Sequence, residues 1–134
     1  MSQSRILHVD DDADIRFLVE LTLDQSPDLE LRSYASGGEA LAAAREDPPD
    51  LALVDVMMPG MDGISLAAAF RETPGLAAVP IIFVTAKAYP DEVARLRENG
   101  AADVIVKPFD LAALEASVRR ILARPDGGGA GESR

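Results

Sequence analysis

Along this chain, short apolar runs stop at polar residues, and each is followed by a segment with a different hydrophobic period. Ile6-Leu-His-Val9 ends at Asp10-Asp-Asp12, and Leu51-Ala-Leu-Val54 ends at Asp55. Ile81-Ile-Phe-Val84 ends at Thr85, and Val104-Ile-Val106 ends at Lys107-Pro108. A strand covered on both faces has no polar side, so it reads as an unbroken apolar run; parallel sheets flanked by helices contain such strands. Leu29 to Ala35 instead alternates apolar and polar residues, the period of a half-exposed strand. The intervening segments are helical. Ile15, Leu18, Val19 and Leu23 share one face, with Asp12 as cap, Asp14 in the first turn, and Pro27-Asp28 as the expected stop. Ser36 and Glu39 have capping-box spacing at the start of an Ala-rich helix that ends before Pro48-Pro49. Asp62 caps a helix through Leu66, Ala67 and Phe70, which stops near Pro74. Pro90 suits the first position of a fourth helix, and Gly100 the position just after its end. Asp110 caps a fifth, through Leu111, Leu114, Val118, Ile121 and Leu122. Five strands alternating with five helices predict a doubly wound α/β parallel sheet.

Length and charge limit what such a sheet serves. The chain has 134 residues, enough for one domain, expected over residues 1–124. Residues 125–134 form a Gly-rich tail expected to be disordered. Thirteen Lys and Arg oppose 23 Asp and Glu, a net charge of −10, which argues against direct nucleic-acid contact and anionic surfaces. No Cys is present, which removes disulfides and thiolate sites. His8 is the single histidine, so a His-pair metal motif is impossible. It is expected to be a packed strand residue rather than a base. No apolar run approaches ~18 residues and no signal peptide is visible, so a cytoplasmic location without membrane insertion is expected.

Ligands bind open α/β sheets outside the carboxyl ends of the strands. Those ends carry Asp10 and Asp11, Asp55, Thr85 and Lys107. Singly, each is an ordinary strand-end residue. Together they place three carboxylates opposite a hydroxyl and an ammonium. Clustered carboxylates take up protons or attract cations. A small oxygen-lined site suits Mg²⁺, and a phosphoryl group fits between that cation and Lys107.

The stretches Ile6-Leu-His-Val-Asp-Asp11, Leu53-Val-Asp-Val-Met-Met-Pro-Gly-Met-Asp-Gly63, Ile82-Phe-Val-Thr-Ala86, Gly100-Ala-Ala-Asp103 and Val106-Lys-Pro-Phe109 carry a specific resemblance. In order and spacing, from about Ile6 to Leu122, the chain resembles the receiver domains of two-component response regulators, including the chemotaxis receivers. The resemblance implies a flavodoxin-like (βα)5 fold with strand order 2-1-3-4-5. It implies that Asp55 accepts a phosphoryl group from a sensor histidine kinase or a histidine phosphotransfer protein. It implies that Asp11, Asp55 and the Met57 backbone carbonyl hold Mg²⁺, with Asp10 assisting through water. Thr85 and Lys107 would bind the phosphoryl oxygens, and Lys107–Pro108 would be cis. The activity implied is self-catalysed phosphorylation and dephosphorylation, not turnover of an external substrate. With its reference pKa of about 3.9, the acceptor carboxylate needs no general base.

Departures from the family pattern sharpen the expectation. The place three residues before the lysine often holds an aromatic switch, and here it is Val104. The two places that tune water access to the acyl phosphate hold Met57 and Lys87, so slow self-dephosphorylation is expected. Nothing after Leu122 is long enough for an output domain, so a stand-alone signalling module is expected, its downstream partner unknown. Competing readings are a receiver-like module that binds partners without phosphorylation, a flavodoxin-like FMN binder and an aspartate-nucleophile phosphatase. The retained acid–Thr–Lys set argues against the first. Asp10-Asp-Asp12 would repel an FMN phosphate, and Met57 stands where the phosphatase needs its second acid.

Overall fold

The computed structural model describes residues 3–87 and 89–124. The Gly-rich stretch 125–134 lies outside them. Five strands alternate with five helices: β1 Ser4–Val9, α1 Ala13–Leu23, β2 Leu29–Tyr34, α2 Gly37–Glu46, β3 Leu51–Asp55, α3 Gly63–Glu72, β4 Ile81–Thr85, α4 Pro90–Glu98, β5 Asp103–Val106 and α5 Leu111–Leu122. All neighbours pair in parallel, in the order β2-β1-β3-β4-β5, as expected.

The helices cover both faces. On one face Leu7, Val9, Val54 and Phe83 pack with Leu41 of α2, Leu66 and Phe70 of α3 and Leu96 of α4. On the other, Ile6, Leu53 and Ile82 pack with Val19 and Leu23 of α1 and with Leu114, Val118 and Ile121 of α5. Every residue of β3 and β4 is buried, which explains their unbroken apolar runs.

The predicted caps form. Side chains of Asp12, Ser36, Asp62 and Asp110 each accept a backbone N–H in the first turn of the following helix. Two boundaries differ from expectation by more than one residue. α1 ends at Leu23 rather than at Pro27, because Ser26 N–H bonds back to the Leu23 carbonyl in a tight turn. β1 begins at Ser4, whose amide bonds to the Asp28 carbonyl beside β2. Tyr34 of β2 is half-buried against the core on the Leu7–Val9 face, since helices flank both faces of this edge strand as well.

Candidate phosphoryl-acceptor site

The rim of the sheet brings the predicted residues together. β1 and β3 are neighbours in register, with Val9 opposite Val54, so Asp10 and Asp55 follow at adjacent positions. Asp10 is 1% exposed, Asp55 4% and Thr85 1%, whereas Asp11 is exposed. Carboxylate oxygens of Asp10, Asp11 and Asp55 lie within 4.8 Å of one another, so the three can hold one ion. The donors are all hard oxygens, the set a small divalent cation prefers.

Lys107 projects from the end of β5 into this group. Its Nζ is 3.2 Å from Asp10 Oδ2 and 3.3 Å from Asp55 Oδ1. The Lys107 amide donates to the Thr85 carbonyl at 2.7 Å, which anchors the lysine beside the end of β4. The Lys107–Pro108 bond is cis, as the resemblance implies. Thr85 Oγ1 accepts the Lys87 amide at 3.1 Å, so the hydroxyl already orders the segment leaving β4. Met57, two residues beyond Asp55, is 59% exposed.

The electrostatics follow from this burial. Burial first, then the Asp10 charge, push the Asp55 carboxyl up to about 6, although Lys107 pulls the other way. Asp55 is therefore not the ordinary carboxylate its sequence suggests. At neutral pH it is ionised mainly at the cost of desolvation and of repulsion by Asp10. A bound cation relieves both, so the residues present fit a metal. Burial would lower Lys107, but the Asp55 and Asp10 carboxylates outweigh it and hold the ammonium above its ordinary value. Buried His8 falls to about 4, chiefly through desolvation, and is neutral at physiological pH. It packs in β1 with Ser33 Oγ 3.5 Å from its Nδ1, as expected of a strand residue.

Two residues shape the site without having been singled out. Arg16 donates to the Asp10 carbonyl at 2.7 Å, tying α1 to the end of β1. Gly63 begins α3 with its amide on the Val56 carbonyl, and a Cβ there would fall 2.4 Å from the Asp55 carbonyl oxygen. Only glycine lets α3 approach the Asp55 backbone this closely. Glycine after a helix cap was the available signal, but a turn explains it equally well.

A doubly wound sheet with a carboxylate trio and a lysine on its carboxyl rim defines a class of phosphoryl-handling signalling domains. The comparisons agree. The model of the response regulator receiver domain matches residues 6–119, and the chain belongs to that family. It is 38% identical over 130 residues to the transcriptional regulatory protein CseB of Streptomyces coelicolor, covering 97% of this chain and 54% of that protein. It is 40% identical over 124 residues to the DNA-binding response regulator MtrA of Mycobacterium leprae, covering 92% of this chain and 53% of that one. The chain thus spans about half the length of the curated relatives it matches. Among solved structures, a putative response regulator from Chloroflexus aurantiacus superposes with a TM-score of 0.85 at 36% identity, covering 92% of this chain and 100% of that one. The chemotaxis protein CheY4 of Vibrio cholerae gives 0.83 at 32% identity, over 89% and 98%. No helix among the described residues is long and apolar enough to cross a membrane.

Proposed function

We propose that Asp55 accepts a phosphoryl group from a phosphohistidine, on a sensor histidine kinase or a histidine phosphotransfer protein. An Asp55 carboxylate oxygen attacks phosphorus, the P–N bond to the donor imidazole breaks, and an acyl phosphate forms. The observation that carries this reading is the convergence of Asp55 with Asp10, Asp11 and Lys107 on one rim of the sheet. Asp11, Asp55 and the Met57 carbonyl would hold Mg²⁺, with Asp10 assisting through water. When bound, the ion offsets negative charge on the transferring group. Lys107 offers a point charge to the incoming oxygens, and Thr85 a hydroxyl donor. Because Asp55 is already a carboxylate above about pH 6, no general base is required, and His8 takes no part. The work is mostly positioning.

An apolar cavity of about 510 Å³ beside the site supports a protein donor. It is lined by Ile15 and Leu18 of α1 and by Ala86, Lys107, Pro108, Phe109 and Leu111. Lys107 belongs to both cavity and site, so a donor protein seated on this apolar surface reaches the rim. Phe17 and Leu21, 61% and 52% exposed, extend the apolar surface of α1.

Intact mass after treatment with acetyl phosphate tests the acceptor. One phosphoryl group is expected with Mg²⁺, none with excess chelator, and none on Asp55→Asn. Undiminished labelling of Asp55→Asn would move the acceptor elsewhere. No labelling of the native chain under any condition would leave a receiver-like interaction module.

A further inference from the structure

α4 is held unequally along its length. Its only buried residue is Leu96, near its carboxyl end. At the amino end Tyr89 supplies no side-chain cap and is 72% exposed. Asp91 is also exposed, and Val93 is half-buried. The carboxyl end is tied to β5 and to α3 and is capped by its own Asn99. Arg97 lies 3.6 Å from Asp103 of β5, which also receives Ser117 and Arg120 of α5. Asn99 Nδ2 bonds the Arg95 carbonyl at 2.8 Å. From α3, Arg71 donates through Nη2 to the Gly100 carbonyl at 3.0 Å and through Nη1 to the Val79 carbonyl at 3.4 Å.

The last tie is specific in its chemistry. A planar guanidinium reaches carbonyls of two separate segments at once, which an ammonium does not reproduce. Gly100 has φ of +90°, and a Cβ there would fall 2.9 Å from Arg71 Nη2. The corner between α4 and β5 is therefore built around this side chain. Thr85, at the other end of the segment that leads into α4, holds the Lys87 amide. A hydroxyl that turns toward a phosphoryl group gives up that geometry and perturbs the chain entering α4.

We infer that Arg71 is a positioning residue for signal output: it fixes the α4–β5 corner as a pivot, so that a change at Thr85 moves the amino end of α4 against a stationary carboxyl end. The inference rests on the phospho-acceptor reading. Without the pivot, the exposed Arg97–Asp103 pair and the single buried side chain of Leu96 resist translation weakly, so the same perturbation would shift the whole helix. Val104, half-buried against the core under this edge, lacks the bulk of a ring to supply a second fixed point.

Amide hydrogen exchange with and without beryllofluoride and Mg²⁺ tests this in the full chain. Acyl-phosphate formation is checked separately by mass, so failure of the acceptor is distinguishable from failure of the pivot. Probes are the Val93 amide, bonded to the Tyr89 carbonyl, and the Asn99 and Gly100 amides at the far end. In the native chain, exchange at Val93 should change by roughly tenfold on adding the mimic, and at Asn99 and Gly100 by less than about twofold. In Arg71→Met, which keeps an apolar stem, the mimic should alter both ends comparably. Arg71→Lys should do the same more weakly, and serves if the Met variant does not fold. A merely structural arginine would raise exchange at the corner equally with and without the mimic. That result would overturn the inference, as would a native chain whose two ends respond alike.

Discussion

The centre of the sheet and its β5 edge differ in burial, and the two halves of the site divide along that difference. β3 and β4 are buried at every position, whereas no residue of β5 is. The central strands end in carboxylates and a hydroxyl with almost no exposure, while Lys107 comes in from the edge with its side chain 24% exposed. Asp55, the proposed acceptor, thus stands on a rigid, water-poor platform. The cation that pairs with it, and the helix beside it, belong to the loosely held edge. Buried carboxylates are costly to ionise, and that cost makes the centre responsive to a metal or a phosphoryl group. The edge is where a response is free to occur.

The largest test of this division is packing. Phe83, in β4, is 0% exposed, and Phe83→Ala should cost about 3–5 kcal/mol of stability. Val106, in β5 at the edge, is 36% exposed, and Val106→Ala should cost less than about 1 kcal/mol. Equilibrium urea unfolding measures both. Similar losses would mean that the edge is as firmly built as the centre.

The electrostatic side of the comparison has a defined pH window. Asp55 titrates near 6 in the folded chain against an ordinary 3.8. Stability associated with its protonated form is complete below about 3.8 and is lost as pH rises through about 6. Asp55→Asn should therefore stabilise the metal-free protein above about pH 6, by on the order of 3 kcal/mol or less, and leave it unchanged below about pH 4. His8 acts in the opposite sense. Its folded value of about 4 lies below 6.5, so its contribution is present above 6.5 and lost as pH falls through about 4. The Asp55→Asn variant, with only the His8 effect left in this window, should lose stability more steeply on acidification than the native chain. Unfolding midpoints measured across this range without Mg²⁺ would decide it; parallel curves would remove the electrostatic strain from Asp55.

This strain marks the boundary of what the sequence discloses. The central strands were legible because full burial leaves an unbroken apolar run, and the rim because a polar residue must end each run. Asp12, Ser36, Asp62 and Asp110 were legible because a cap is a local hydrogen bond. Burial and the approach of Asp10 raise the Asp55 value, and both depend on register across the sheet, which leaves no pattern in either segment. The Arg71 fork on Gly100 joins positions 29 residues apart. Gly63 looks like any turn glycine until α3 is seen against the Asp55 carbonyl. The early end of α1 depends on the Ser26–Leu23 bond, which is weaker punctuation than the proline that follows.

A smaller effect separates neighbouring acids at the exposed margin of the site. Asp11 contributes an oxygen to the carboxylate trio, whereas Asp12 Oδ1 is occupied by the Asp14 and Ile15 amides. Asp11→Asn should weaken Mg²⁺ binding on the order of tenfold or more, since it removes a charged oxygen donor. Asp12→Asn keeps an acceptor for the cap and should leave affinity nearly unchanged. A Mg²⁺ titration followed by calorimetry compares them. Equal losses would place Asp12 in the ion's surroundings and disqualify it as a cap alone.

The smallest expected effect concerns how long the acyl phosphate lasts, and it too contrasts centre with margin. Met57 is 59% exposed while Met58, the next residue, is buried at 8%. Exchanging the Met57 side chain therefore perturbs little packing, and its backbone carbonyl, the proposed metal ligand, is retained. A thioether offers an attacking water only a weak acceptor, whereas a carboxamide supplies both a donor and an acceptor. Lys87 is exposed on the segment after β4, two residues beyond Thr85, and we propose that its cation pairs with phosphoryl oxygens. Met57→Asn should accordingly speed loss of the phosphoryl group by about fivefold, roughly 1 kcal/mol of barrier. Its Mg²⁺ affinity and unfolding midpoint should stay at native values. The decay of the phosphorylated mass, followed after removal of the small donor, gives the rate. A decay no faster than that of the native chain would show that access of water is set by the buried rim itself and not by the side chains at its exposed margin.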